Sequence, residues 1–181
     1  VVMGNGASIA NDSGEGDIRA EMIKDDKIEI MIGLPTNLFA NVTVPPTLWF
    51  LSKDKSRHGR DRKNEILFIN ARNLGTMETR KLRVFSNEDI KKIQDTVSSW
   101  RKGDGYEDVE GYCKSSTTEE VEKNGFVLTP SRYIGFAEED EDEVSFEETI
   151  NSLIVQFENG EKESLKLTKK IKNRLSSLKN D

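Results

Sequence analysis

Apolar residues fall into short runs in the first third of the chain and into helical spacings further on. Val1-Val2-Met3, Ile28–Ile32, Val42–Leu51 and Ile66–Ile69 are apolar runs too short for helices, most of them β-branched or aromatic, so each reads as a strand, the first as a buried one. Gly33-Leu34-Pro35 stops the second run. Pro45-Pro46 must lie near the start of the third or on an edge, because proline gives the ladder no N–H. Between the first two strands, Asp12-x-x-Glu15 predicts a capped helix over 15–25 with Ile18, Met22 and Ile23 on its inner face. Strand, helix, strand over 1–75 is the rhythm of a βαβ unit in a sheet covered on both faces.

Residues 76–137 form a less regular middle region. Ser86-x-x-Asp89 opens an amphipathic helix with Ile90, Ile93, Val97 and Trp100 on one face, ended by Gly103-Asp-Gly105. Thr117-x-x-Glu120 starts a short helix, and 125–135 reads as an extended segment. Residues 138–181 change character again. Six consecutive acids from Glu138 to Glu143 read as a solvated linker or hinge. Phe146, Ile150, Leu153 and Phe157 then recur at helical spacing, and Ile171, Leu175 and Leu178 continue the stripe. Asn159-Gly160 between them predicts a bend or split.

Composition narrows the chemistry. Hydrophobic and charged residues contribute 34% and 33% of the 181 positions, so part of the length is expected to be solvated or to await a partner. The net charge of −6 excludes a uniformly basic nucleic-acid-coating protein. No apolar run approaches the roughly 18 residues of a membrane span. One cysteine, Cys113, excludes an internal disulfide and suits a reducing cytoplasm; it reads as a small half-buried side chain. One histidine, His58, beside that cysteine gives no Cys/His zinc site, and no metal is assigned. The apolar opening at Val1 carries no basic leader, so it is not a secretory signal, and it reads as a chain cut within a domain, the alternative being a genuine N-terminal strand.

The remaining motifs are modest. Gly4-Asn5-Gly6 lacks the Lys-Ser/Thr of a phosphate loop and the third glycine of a dinucleotide fingerprint, so it reads as a tight turn at the ligand-gathering edge of an α/β sheet. Pro45-Pro46 is flanked by Val44 and Thr47, neither of which accepts a hydrogen bond from an exocyclic amine as an amino-methyltransferase loop requires. No G-x-S-x-G elbow is present. The loop 53–63 holds six basic residues, Lys53, Lys55, Arg57, Arg60, Arg62 and Lys63, with two acids. It is either a phosphate-contacting tip or a solvated hairpin. Trp49, Trp100 and the tyrosines read as packing.

In order along the chain, Val1-Val2-Met3-Gly4-Asn5-Gly6, Gly14-Glu-Gly-Asp-Ile-Arg19, Ile32-Gly-Leu-Pro-Thr-Asn-Leu-Phe39, Val44-Pro45 and Leu48-Trp-Phe-Leu-Ser-Lys53 are followed by a second series. That series is Glu65-Ile-Leu-Phe-Ile-Asn-Ala-Arg72, Phe85-Ser-x-Glu-Asp-Ile90, Trp100-Arg101, Gly111-Tyr-Cys-Lys114 and Leu128-Thr-Pro-Ser-Arg-Tyr-Ile134. The whole resembles the modification (M) subunit of type I restriction–modification systems. Gly4 departs from the pattern, which usually has proline there.

The resemblance implies a cytoplasmic adenine-N6 DNA methyltransferase that uses S-adenosylmethionine. It implies the C-terminal part of a Rossmann-like α/β methyltransferase sheet, with 1–6 as its fifth strand and 28–34 and 44–53 as the closing antiparallel hairpin, followed by a helical tail. In the family the cofactor loop and the Asn-Pro-Pro-aromatic loop lie upstream, and this chain contains neither, so alone it is expected to be inactive. The resemblance makes Phe39 a base-stacking candidate, the alternative being a core-facing loop residue. Implied partners are DNA and the specificity and restriction subunits. The tail stripe is a docking candidate for the specificity subunit, or else it packs on 86–101. Two rival readings stay open: an assembly module without catalysis, and an unrelated α/β phosphate-binding protein.

Overall fold

The computed structural model describes residues 1–11, 14–39, 43–57, 59–135 and 146–177, in two compact units, Val1–Ala137 and Glu138–Asp181. Asp12, Val42, His58, Leu178 and the acidic run 138–143 lie outside the described residues. In the first unit, β1 (Val2–Gly4), β2 (Ile28–Gly33), β3 (Pro46–Leu51), β4 (Glu65–Asn70) and β7 (Cys113–Thr117) form one sheet in the order β1-β3-β2-β4-β7. β3 runs antiparallel to both β1 and β2, β4 is parallel to β2, and β7 is antiparallel to β4. β1, β2 and β4 therefore point the same way. The antiparallel β2–β3 pair expected from the resemblance is present.

Two apolar clusters cover the two faces. On one, Ile28, Met31, Trp49, Ile66 and Phe68 pack with Ile23 of α1 (Glu15–Lys24), Val121 of α3 (Thr118–Lys123) and Leu128, Tyr133 and Ile134. Tyr133 stacks on Phe68 with ring centroids 4.0 Å apart. On the other, Ile30, Ile32, Leu67 and Ile69 pack with Trp100, Ile93 and Val97 of α2 (Asn87–Lys102). The capping signal of α2 is realised in both directions: Ser86 Oγ accepts from the Asp89 N–H at 3.1 Å, and Asp89 Oδ2 accepts from the Ser86 N–H at 2.8 Å. Gly103, in the left-handed region, ends the helix.

Several expectations need correction. The strand at the start of the chain is not buried: β1 lies at the sheet edge with Val1, Val2 and Met3 exposed. The proline expectation holds: β3 starts at Pro46, which as the first residue of a strand needs no ladder N–H. α1 begins after Gly14 and turns Arg19 and Ile23 inward, leaving Ile18 62% exposed. The buried Arg19 spans the gap with four hydrogen bonds, to the carbonyls of Phe126, Ala7 and Ala10 and to Asn11 Oδ1, at 2.7–3.1 Å. The segment 125–135 is a strap of turns with a 3-10 turn at Pro130–Arg132, not a strand. Its buried side chains hold it to the sheet face, and its backbone bonds run to Ser8 and Gly111. Cys113 is fully buried in β7, and burial pushes its thiol pKa up, which leaves it unreactive.

Two further strands, β5 (Thr76–Thr79) and β6 (Leu82–Val84), form a separate two-stranded ribbon. In the second unit, α4 (Phe146–Ser177) is one helix that runs unbroken through Asn159-Gly160. A glycine in a helix interior costs only about 1 kcal/mol relative to alanine, too little to split a long helix of otherwise good helix formers. Truncating the indole at the centre of the α2 face, Trp100→Ala, is expected to lower stability by about 3–5 kcal/mol in urea unfolding followed by circular dichroism.

Candidate functional site

The carboxyl ends of β1, β2 and β4 converge on one edge of the sheet, where open α/β sheets gather ligands. Gly4-Asn5 leaves β1 there in a 3-10 turn over Asn5–Ser8. Arg72, two residues past β4, reaches back across the edge. Its guanidinium donates to Asn5 Oδ1 at 3.4 Å, and its backbone N–H donates to Asn70 Oδ1 at 3.3 Å. A Cβ on Gly33 would sit 3.6 Å from Arg72 Nε, so the arginine lies over the end of β2.

The β2–β3 connection leaves from the same edge. Asn37 takes a positive φ of 61°, Leu38 is drawn toward the α2-side core, and Phe39 stays 42% exposed. Phe39 is thus placed at the edge without being locked into the core. The β5–β6 ribbon is tied to this loop, since the Arg83 N–H donates to the Asn37 carbonyl at 2.8 Å. Gly75, which starts the ribbon at φ 79°, admits no side chain, as a Cβ there would lie 2.7 Å from the Val84 carbonyl oxygen. Sequence reasoning missed Arg72 and Arg83. They are single arginines whose partners are distant in sequence, and no local pattern marks them.

The 53–63 loop lies at the other end of the sheet. It joins the end of β3, opposite Ile28, to the start of β4. A six-residue strand rising about 3.3 Å per residue separates it from the Phe39 edge by roughly 17 Å. Three of its six cations are engaged internally, which corrects the reading of a solvated hairpin. Lys55 is buried, pairs with Asp26 and donates to the Glu65 carbonyl at 2.8 Å; burial pulls its pKa down against those bonds.

Arg60 forks onto both Glu65 oxygens at 2.5 and 2.8 Å. Arg62 is buried, donates to the carbonyls of Arg57, Arg60 and Arg101, and pairs with Glu29 at 3.4 Å. Both guanidiniums lie over the Trp100 ring, 5.5 and 5.7 Å from its centroid. Gly59 is pressed so close to Arg101 that a Cβ would fall 1.9 Å from its carbonyl oxygen. The loop therefore closes the carboxyl end of α2, where cations and donors satisfy the last carbonyls. Lys53, Arg57 and Lys63 remain exposed, with Arg57 3.3 Å from Asp54.

At the Gly4-Asn5-Gly6 turn a Cβ on either glycine would meet nothing within 4 Å, so the turn is open on that side, and Asn5 Oδ1 accepts from Arg72. Of the tail stripe, Ile150, Leu153, Phe157 and Ile171 are exposed on α4. Phe146 and Leu175 belong to the helix with side chains outside the description, and Leu178 lies beyond it. No described helix is long and apolar enough to cross a membrane.

With this geometry in hand, the relatives define the class. The family model for N-6 DNA methylase matches residues 1–142, and the chain belongs to that family. It is 42% identical over 178 residues to the type I restriction enzyme HindI methylase subunit of Haemophilus influenzae, covering 98% of this chain and 39% of the relative. It is 36% identical over 179 residues to the MjaIX methylase subunit of Methanocaldococcus jannaschii, covering 98% of this chain and 31% of that one. A crystal structure of the type I restriction–modification methyltransferase subunit from Streptococcus thermophilus superposes with a TM-score of 0.62 at 26% identity, over 75% of this chain and 26% of the other. The chain thus spans well under half the length of these relatives.

Two outcomes test the charge assignments. Glu29→Ala, which strands two guanidiniums at a buried site, is expected to cost about 3–5 kcal/mol in chemical denaturation, whereas Lys63→Ala stays within about 0.5 kcal/mol. The Glu65 carboxyl is held below its ordinary pKa chiefly by the Arg60 hydrogen bonds. Its stabilisation is present above the unfolded-state value, about 4.3, and is lost as pH falls through the lower folded value. Glu65→Gln should therefore flatten the acid limb of a stability–pH profile below about pH 4.

Proposed function

We propose that this chain serves as part of the modification subunit of a type I restriction–modification system, a cytoplasmic enzyme that methylates adenine N6 in DNA with S-adenosylmethionine. The observation that carries the reading is the family match, which runs through the whole sheet and its loops. The closing β2–β3 pair and an exposed aromatic at the carboxyl edge of the parallel strands agree with it. Within the reading, the sheet is the distal part of a Rossmann-like methyltransferase domain. Residues outside these 181 hold the cofactor and orient the adenine amine. Methyl transfer needs the amine lone pair aligned with the donor methyl, and the chain's one Pro-Pro pair, flanked by Val44 and Thr47, offers no acceptor for that amine.

Phe39 is assigned the flipped base. An adenine in a duplex must leave the stack before its amino group is reachable, and a half-exposed ring offsets part of the unstacking cost. The exposed apolar stripe of α4, Ile150, Leu153, Phe157 and Ile171, is assigned to docking on the specificity subunit. A helix with such a stripe gains most of its stability from a partner surface. The second reading, an assembly module without catalysis, draws on the same stripe.

Three measurements test this. Labelled methyl is expected to enter adenine in DNA with the longer protein and not with the 181-residue chain. In the longer protein, Phe39→Ala should weaken flipped-base binding by about 1–3 kcal/mol, read from 2-aminopurine fluorescence and turnover. Truncation after Glu143 should abolish pull-down of the specificity subunit. Absence of methyl transfer by the longer protein with assembly intact would leave the module reading.

A further inference from the structure

We propose that the β5–β6 ribbon is a DNA-gripping arm, with Arg80 and Lys81 at its tip contacting backbone phosphates beside the Phe39 loop. The proposal rests on the reading of the chain as part of a DNA adenine methyltransferase, and it moves phosphate contact away from the 53–63 loop. The Asn37 carbonyl binds the Arg83 N–H, so the ribbon is fastened to the loop that carries Phe39, whereas the 53–63 loop leaves the opposite end of β2.

Lys55, Arg60 and Arg62 are consumed by Asp26, Glu65, Glu29 and the end of α2. Arg80 and Lys81 are exposed, and among the described residues no carboxylate lies within ion-pair distance of either. Folding leaves these two charges unused.

All four residues of β5 are exposed, and a lone two-stranded ribbon is marginal in water, so the element contributes little to the core. It is nevertheless held in place. The Arg83 guanidinium donates to the carbonyls of Leu74 and Gly75, both at 3.2 Å, and the space beside Gly75 is too tight for any side chain next to the Val84 carbonyl. From Thr76 to Val84 the ribbon holds Arg80, Lys81 and Arg83 against Glu78 alone, in a chain whose net charge is −6. The acids that follow sit at the start of α2, where Asp89 is engaged in the Ser86 cap and Glu88 is exposed. A positively charged ribbon projecting beside a base-stacking aromatic suits a duplex whose backbone must be held while one base leaves it.

The test is the salt dependence of duplex binding by the 181-residue chain, read by fluorescence anisotropy of a labelled duplex. Arg80→Ala with Lys81→Ala should weaken binding and lower the slope of log affinity against log salt by about 2, near 0.9 per lost phosphate contact. The control pair Lys53→Ala with Lys63→Ala, at the far end of the sheet, should leave the slope unchanged. All four side chains are exposed, so circular dichroism should match the parent for both variants. An unchanged slope in the ribbon variant overturns the proposal, as does a parent chain that binds no duplex at low salt. Neither result touches methyl transfer by the longer protein, which is scored separately, so a failed arm and a failed enzyme reading are told apart.

Discussion

A buried carboxylate in the middle of the sheet organises this fold. Glu29 sits in β2, the central strand, at a register irregularity between Ile28 and Ile30. The irregularity turns Glu29 toward the carboxyl end of α2, while Ile28 and Met31 serve the opposite face. An ionised carboxylate at such a site is tolerated only with partners that fill its lone pairs. Arg101 of α2 supplies two bonds, at 2.8 and 3.1 Å, and Arg62 of the 53–63 loop adds its charge at 3.4 Å. Strand, helix and loop are thereby fixed by one group. Arg62 then spends its other donors on the carbonyls of Arg57, Arg60 and Arg101, so the loop doubles as the carboxyl cap of α2.

That constraint gives the sheet two unlike ends. At the end where β2 begins, Asp26, Glu29 and Glu65 meet Lys55, Arg60, Arg62 and Arg101, and the charges largely cancel. At the end where β1, β2 and β4 stop, the polar groups bind one another loosely, with Arg72 to Asn5 at 3.4 Å and to Asn70 at 3.3 Å, and a phenyl ring is left in solvent. The first end is built for stability. The second leaves the Phe39 ring exposed, at the edge where open α/β sheets gather ligands.

Arginine does unusual structural work throughout. Arg19 and Arg62 are both buried, and both bind chiefly carbonyl oxygens of chain segments that lack regular structure. The planar fork of the guanidinium lets one side chain reach several acceptors at once. Arg19 holds the turn after β1 against the strap at Phe126, and so steadies Asn5 at the carboxyl edge. Burial lowers the Arg19 pKa from its ordinary value, yet the charge is retained because no arginine approaches neutrality in this range.

Local chemistry was enough to read β1 to β4, the Ser86 and Thr117 helix starts and the Gly103 stop, because apolar runs, caps and glycine act within a few residues, whereas the more polar β5, β6 and β7 carry no such apolar run and were not read. The ordered motifs likewise marked the methylase family. Tertiary structure alone decided where charge goes. Lys55, Arg57, Arg60, Arg62 and Lys63 look alike in sequence, but each one's fate depends on whether a carboxylate or a helix end, tens of residues away, comes within hydrogen-bond reach. It also decided that Arg19, not Ile18, faces inward on α1, since Ala7, Ala10 and Phe126 offer carbonyls that only an arginine can span. The strap at 125–135 escaped a local reading for the same reason: its conformation follows from packing Tyr133 on Phe68, a contact between residues far apart in the chain. Periodicity reports which face of an element is apolar, while the pairing of charges is a property of distances that only the folded chain defines.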